Sequence, residues 1–269
     1  MKLLFKIATL FGIVFSSFAQ KSEIVVIGNV HTPMDRYNAD TLYAILEKVK
    51  PDIILHELDH TFFTKDYKFK QPSKENEQNA SERYFSKHPE VMIRPFEFEG
   101  RNEYRREKGI KQSESPTMRI LDSLYSSGNL TESQRTIVSE YRRLTDQLNS
   151  FGYLSAHNFN NPKTDSISKL RQYYQHYEIR KVINEQEIFS EKFVTTSTGK
   201  KVSYKQGYNE FCDFWDLRNK TMAKNIIAYS KKYPNRKIVV LTGYFHRYYL
   251  LEELKKAKNK KFVIKEFYE

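Results

Sequence analysis

Only one cysteine, Cys212, occurs in the chain, so no disulfide can form within it and stability must come from the core. That cysteine stands beside Phe211 and Phe214, a setting for a packed thiol rather than a reactive one. Glycine is scarce, at nine, and no glycine-rich phosphate cradle is present. The sequence also lacks a G-x-S-x-G elbow and an H-E-x-x-H helix, which removes the α/β-hydrolase and zincin readings. Long apolar runs are missing beyond residues 1–19, and even the stretch between Lys6 and Lys21 is too short to span a bilayer comfortably. Acidic residues number 33 against 45 basic ones, giving a net charge of +12. The excess is scattered through helices that also carry Glu and Asp. Its one dense run, residues 255–261, falls on a helix end and loop, so no nucleic-acid partner is expected.

What is present begins with a leader. Lys2 and Lys6 form a basic start, residues 7–15 an apolar middle, and Ser17-Phe18-Ala19 a small-x-small cleavage site. Residues 1–19 are therefore expected to be a signal peptide. The mature chain, residues 20–269, is expected to be exported to the periplasm or the medium with no stable membrane insertion. Its length fits a single α/β domain.

Two phrases organise that domain. Residues 24–31 read IVVIGNVH and residues 238–246 read IVVLTGYFH. Each is a β-branched run, the pattern of a buried parallel strand, ending in Gly-x-x-His at a βα turn. Each is followed by a helical segment and a second strand, within residues 53–58 and 262–267, with Glu57 and Glu266 near its end. Glu266 lies three residues from the C-terminus, where fraying is expected. The chain thus predicts two pseudo-symmetric βαβ halves forming a central, mostly parallel sheet, with ligand chemistry at the carboxyl edge.

Smaller elements follow the same logic. Asp40 is placed to cap the first helix, with Leu42, Ile45, Leu46 and Val49 as its apolar stripe. Residues 75–87 read as a surface helix. Residues 89–98 read as a third strand, with Pro95 at its end or on a sheet edge. Residues 100–207 are a helical insertion, expected to cover the active edge as a lid, with a capping box at Thr131-Glu132-Ser133-Gln134. Within it, residues 166–188 form one helix and residues 195–199 a turn or hairpin tip. Residues 208–233 form a last long helix on which Trp215, Arg218, Met222, Ile226 and Tyr229 share a face. An arginine on such a face needs an anionic partner, and Glu57 is the first candidate.

His31, Glu57 and His246 should therefore converge at one edge, with Arg218 beside them. Two imidazoles and a carboxylate are an open ligand set for a divalent metal, whether zinc, manganese or cobalt. Without a metal, the same groups supply a base and its orienting carboxylate. Alternation sends His56 to the other sheet face, His60 is a spare ligand in a loop, and His176 is a packed or solvated helical residue.

The chain resembles the TraB/PrgY/Tiki superfamily, related to erythromycin-esterase and ChaN-like proteins. The resemblance rests on Gly28-Asn29-Val30-His31, Glu57-Leu58-Asp59, Arg218-Asn219 with Met222-Ala223, and Gly243-Tyr244-Phe245-His246. It covers the two ends of the chain, and the insertion matches nothing in it. It implies a site made by the two histidines and Glu57, and a metal-dependent, protease-like hydrolase acting on a peptide or small molecule. The alternative it leaves is a non-catalytic protein holding haem or an anion in the same pocket. One departure stands out: Asn219 occupies a position where TraB-like chains carry Asp.

Overall fold

Runs of Val, Ile and Leu that are apolar at every position, rather than at alternate ones, become strands covered on both faces. The computed structural model, which describes residues 21–152, 154–257 and 261–269, has five such strands. The leader pattern at residues 1–19 lies outside the described residues. In chain order the elements of the first part are β1 (Ser22–Asn29), α1 (Ala39–Val49), β2 (Ile53–His56), α2 (Asn76–Lys87) and β3 (Met92–Pro95). The helical insertion carries α3 (Arg101–Glu107), α4 (Ile110–Ser126), α5 (Glu132–Gly152), α6 (Ala156–Phe159), α7 (Pro162–Tyr173), α8 (Ile179–Glu185) and α9 (Ile188–Glu191). A hairpin, β4 (Phe193–Thr195) and β5 (Lys201–Ser203), closes it. The chain then returns through α10 (Tyr204–Lys232), β6 (Lys237–Gly243), α11 (Tyr244–Lys256) and β7 (Phe262–Lys265).

The main sheet runs β3-β2-β6-β1-β7, and every pairing in it is parallel. Each half steps over one strand of the other: β1 reaches β2 across β6, and β6 reaches β7 across β1. The two crossover helices lie on opposite faces. Val25, Ile27, Ile54, Val239 and Leu241 pack under Leu42 and Leu46 of α1 and Tyr84 of α2. Ile24, Val26, Leu55, Ile238 and Val240 pack under Met222 and Ile226 of α10 and Leu250 and Leu254 of α11. The chain therefore departs in opposite directions from β1 and β6, and the crevice beyond their carboxyl ends is the switch point where open α/β sheets bind ligands.

The glycines of the two motifs are needed there, each for the sake of the other motif. A Cβ on Gly28 would lie 2.8 Å from Cα of Tyr244, and one on Gly243 would lie 3.2 Å from Nε2 of His31. The insertion is tied to the same edge. β7 stops opposite Val25, so the outer side of Gly28 has no strand beside it. Asn160 takes the vacancy: Gly28 N–H donates to its Oδ1 at 2.6 Å and its Nδ2 donates to Gly28 O at 2.9 Å. The insertion has its own core around Leu121, Val138, Ile183, Phe189, Tyr208 and Cys212. Burial pushes the Cys212 thiol up to about 12, the mark of an inert packed residue.

Four local expectations change. The cap of α1 is Asn38, whose Oδ1 accepts from the N–H groups of Asp40 and Thr41, while Asp40 sits in the first turn. Helix α2 is not a surface helix, since Asn76, Glu77, Ala80, Ser81 and Tyr84 are buried on its inner face. The helix expected over residues 166–188 is broken by a π turn, Tyr174–Glu178, and ends at Glu185. Glu266 is not frayed: the fully buried Arg247 donates to both its oxygens and to Asp165.

Candidate active site

The four residues singled out from the sequence meet at the carboxyl edge, though not in equivalent settings. Glu57 follows β2 directly. Its Oε2 accepts from the Thr242 hydroxyl and, at 2.8 Å, from Gly243 N–H, while its Oε1 accepts from Arg218 Nη2. One oxygen is thus held at the end of β6 and the other by α10. Burial opposes ionisation of this carboxyl. The positive groups around it, His246 when protonated, Arg218 and His31, together with the Thr242 hydroxyl, outweigh burial and hold it well below the usual range.

His246 stands in the first turn of α11 rather than in a loop. Its tautomer follows from its neighbours. Asn219 Nδ2 donates to Trp215 O at 2.7 Å, which turns Asn219 Oδ1 towards the imidazole. His246 Nδ1–H then donates to that oxygen at 2.7 Å, and Nε2 is left as an acceptor for Arg218 Nη1 at 2.8 Å. Burial first, then the Arg218 charge, push the imidazole down to about 3, so it is neutral at ordinary pH. An Asn at position 219 suits this state, because it accepts the Nδ1 proton without adding a charge that would stabilise an imidazolium. Trp215 stacks on the ring, with centroids 4.5 Å apart.

Arg218 is the hub. Its Nε donates to Glu97 at 2.9 Å, its Nη2 to Glu57 and Glu97, and one Nη1–H to His246. A guanidinium has five N–H bonds, so one Nη1–H is left for a ligand. Arg218 also forms part of the wall of a cavity of about 290 Å³ under the insertion.

His31 behaves differently. It lies in the loop after β1, half-exposed, with Nδ1 2.6 Å from Oε1 of Glu77. Helix α2 delivers that carboxylate: Asn76 N–H donates to His31 O and Asn76 Nδ2 to Val30 O, locking the start of the helix onto the motif loop. Glu77 is buried, and Oε2 has no hydrogen-bond partner among the described residues. Its hydrogen bond to His31 raises the imidazole to about 9 against the opposing effect of burial, with the charges of Glu77 and Glu57 adding to the rise. Nε2 of His31 is turned towards Gly243, on the side where Cδ2 of His246 also lies, 3.2 and 3.7 Å from the point a Cβ there would occupy.

Two partners were not read from the sequence as site residues. Glu97 follows β3 much as Glu57 follows β2, and its place beyond a strand end was the available signal. Glu77 gave none, since the buried face of α2 is largely polar. The other histidines lie elsewhere: His56 is buried and its Nε2 meets Ser81 at 2.9 Å, and His60 pairs with Glu99 at the surface.

Glu57 and His246, two of the three expected metal ligands, share Arg218. His246 has its one accepting nitrogen on Arg218, Glu57 accepts through both oxygens, and the guanidinium bonds both side chains, whose Nε2 and Oε1 lie 3.7 Å apart. An ion shared by Glu57 and His246 would have to displace Arg218 from His246 Nε2 and sit against its charge, so the pair as arranged does not fit one. Among the described residues no group of three or more His, Cys, Asp or Glu is disposed to hold a metal ion. None of the described helices is long and apolar enough to cross a membrane.

No family model matches the chain, and no curated protein matches it. Among solved structures, the chain is similar to the erythromycin esterase mutant EreC H289N in its open conformation, at 10% identity and a TM-score of 0.35, over 91% of this chain and 69% of that one.

Proposed function

We propose that the protein hydrolyses a carboxylic ester or amide, in a peptide or a small molecule, with His31 as general base, Glu77 as its orienting carboxylate and Arg218 as the oxyanion donor. The observation that carries this reading is the His31–Glu77 pair: a buried carboxylate fixes one ring nitrogen and leaves the other turned towards the Glu57–Arg218–His246 cluster. In the first step His31 Nε2 takes a proton from water as the water oxygen bonds to the carbonyl carbon. The carbonyl electron pair moves onto its oxygen, which the unused Nη1–H and the charge of Arg218 stabilise. The tetrahedral adduct then expels the alcohol or amine, which takes its proton back from His31. Glu57, Glu97 and neutral His246 touch no reacting atom in this scheme and serve to hold Arg218 in place.

Only the neutral form of His31 can act as base, so activity should rise with pH up to about 9. Export is part of the proposal and is supported by the leader pattern at residues 1–19. The test is a panel of aromatic esters and short peptides, assayed from pH 7 to 10 with and without a chelator. Turnover should survive chelation and fall by about 10²–10⁴-fold in His31→Ala. No turnover across the panel, or a His31→Ala protein as active as the parent, would overturn the reading. Loss on chelation with recovery on adding zinc, manganese or cobalt would return the site to His31, Glu57 and His246 as metal ligands.

A further inference from the structure

The insertion and α10 form most of the cavity that Arg218 borders, and its wall is mainly positive, with Glu114 its one carboxylate. Arg101, Arg105 and Arg171 join Arg218 around it, with Phe211 and Trp215 among the aromatic surfaces between them. Three of the four guanidinia have carboxylates. Arg218 holds Glu57 and Glu97, Arg101 shares Glu97, and Arg105 holds Glu114. Arg171 has none among the described residues, although it is only 8% exposed. Its donors go to neutral groups instead: Nε to Thr145, Nη1 to Gln172 and Gln175, and Nη2 to the Tyr141 hydroxyl. That uses four of five N–H bonds and leaves one Nη2–H. A buried cation without a counter-charge is costly, and the cost falls when an anion enters beside it.

A second observation points into the same space. His176, 1% exposed and also in the cavity wall, has no hydrogen-bond partner for either ring nitrogen among the described residues. It sits on the π turn Tyr174–Glu178, a distortion that recurs at functional positions. Burial, with the Arg171 charge adding to it, pushes its imidazole well below the ordinary value, so the ring stays neutral and offers one donor and one acceptor. It stacks on Trp215 at 4.8 Å, and the other neighbour stacked on Trp215 is His246. The cavity and the cluster at the sheet edge thus share a wall.

We propose that this cavity binds an anionic group of the substrate, a carboxylate or phosphate on a small aromatic or apolar body, with Arg171 as its anchor. The inference rests on the hydrolase reading only in calling the occupant a substrate. Trp215 is the one tryptophan in the chain, so its fluorescence reports on the cavity without any turnover. The experiment titrates the full-length His31→Ala protein with benzoate, phenyl phosphate and neutral benzamide. A saturable change is expected with the anions, tighter by about tenfold or more than with benzamide, and the tighter of the two identifies the group. Arg171→Met should weaken anion binding by about tenfold or more, with far-ultraviolet circular dichroism confirming its fold. Should that variant fail to fold, Arg105→Gln at the partly exposed side of the cavity takes its place, with a smaller loss of about threefold expected. No saturable change with either anion, equal affinity for benzamide, or a folded variant that binds as the parent does would overturn the proposal. Anion binding in a protein that hydrolyses nothing would overturn the hydrolase reading alone.

Discussion

His31 and Gly243 show how much at this site turns on single atoms. Ala at 243 would place a methyl 3.2 Å from His31 Nε2, tight enough to push the half-exposed ring aside while leaving the core untouched. Gly243→Ala should therefore lose most activity with a small change in unfolding midpoint. Gly28→Ala meets backbone at 2.8 Å instead, which cannot swing away, and should lose both; urea unfolding of the two variants checks the contrast. Glu77→Gln removes the anion that raises His31. Its imidazole should then fall from about 9 towards the ordinary 6.5, read by NMR titration of the ring protons. The acid limb of the pH–rate profile should move down with it, while the limiting rate drops because the ring has lost its orienting charge. Were the limb to stay near pH 9, His31 would not be the base.

Elements were legible where hydrophobic pattern decides them. The strands announced themselves as β-branched runs, β3 took the sheet edge that Pro95 allows, and Arg218 came inwards because it shares a face with Met222 and Ile226. Helix α2 escaped because Asn76, Glu77 and Ser81 are polar residues buried by specific hydrogen bonds, and a periodicity argument sees only apolar ones. Thus Glu77, the partner that defines His31, was hidden in an apparently solvated helix. The π turn was equally hidden, since a five-residue detour leaves no mark on composition. The cap of α1 offers a direct test of such local reading. Asn38→Ala should cost about 1 kcal/mol, because Asn38 accepts two orphan N–H groups. Asp40→Ala should stay within about 0.5 kcal/mol, since its tie to Arg83 lies at the surface. Urea denaturation that ranks the two the other way would restore Asp40 as the cap.

At the scale of the whole molecule, three histidines are folded away neutral. His56 and His246 are each pushed down to about 3 by burial, with the Arg218 charge adding to it at His246, and burial pushes His176 well below its ordinary value. Unfolded, each would bind a proton as pH falls through 6.5, so the unfolded state holds more protons over the window from about 6.5 to 3. Their stabilisation is complete above pH 6.5 and is lost as pH falls, at up to about 1.4 kcal/mol per pH unit for each. The melting temperature should decline below pH 6, before most carboxylates titrate, and His56→Gln should flatten that decline; an unchanged slope would place the effect elsewhere. The strand order has a consequence for how the molecule is made. β6 lies between β1 and β2, yet it follows the whole insertion in the chain, so the ribosome delivers its two neighbours long before the strand that joins them. Until then β1 and β2 face a gap that neither can close, and the emerging chain has no sheet to settle into. The export proposed above would draw on that delay, since a secretory pore that threads unfolded chain is served by late folding. Withholding the central strand until the insertion has been made keeps β1 and β2 apart throughout that interval.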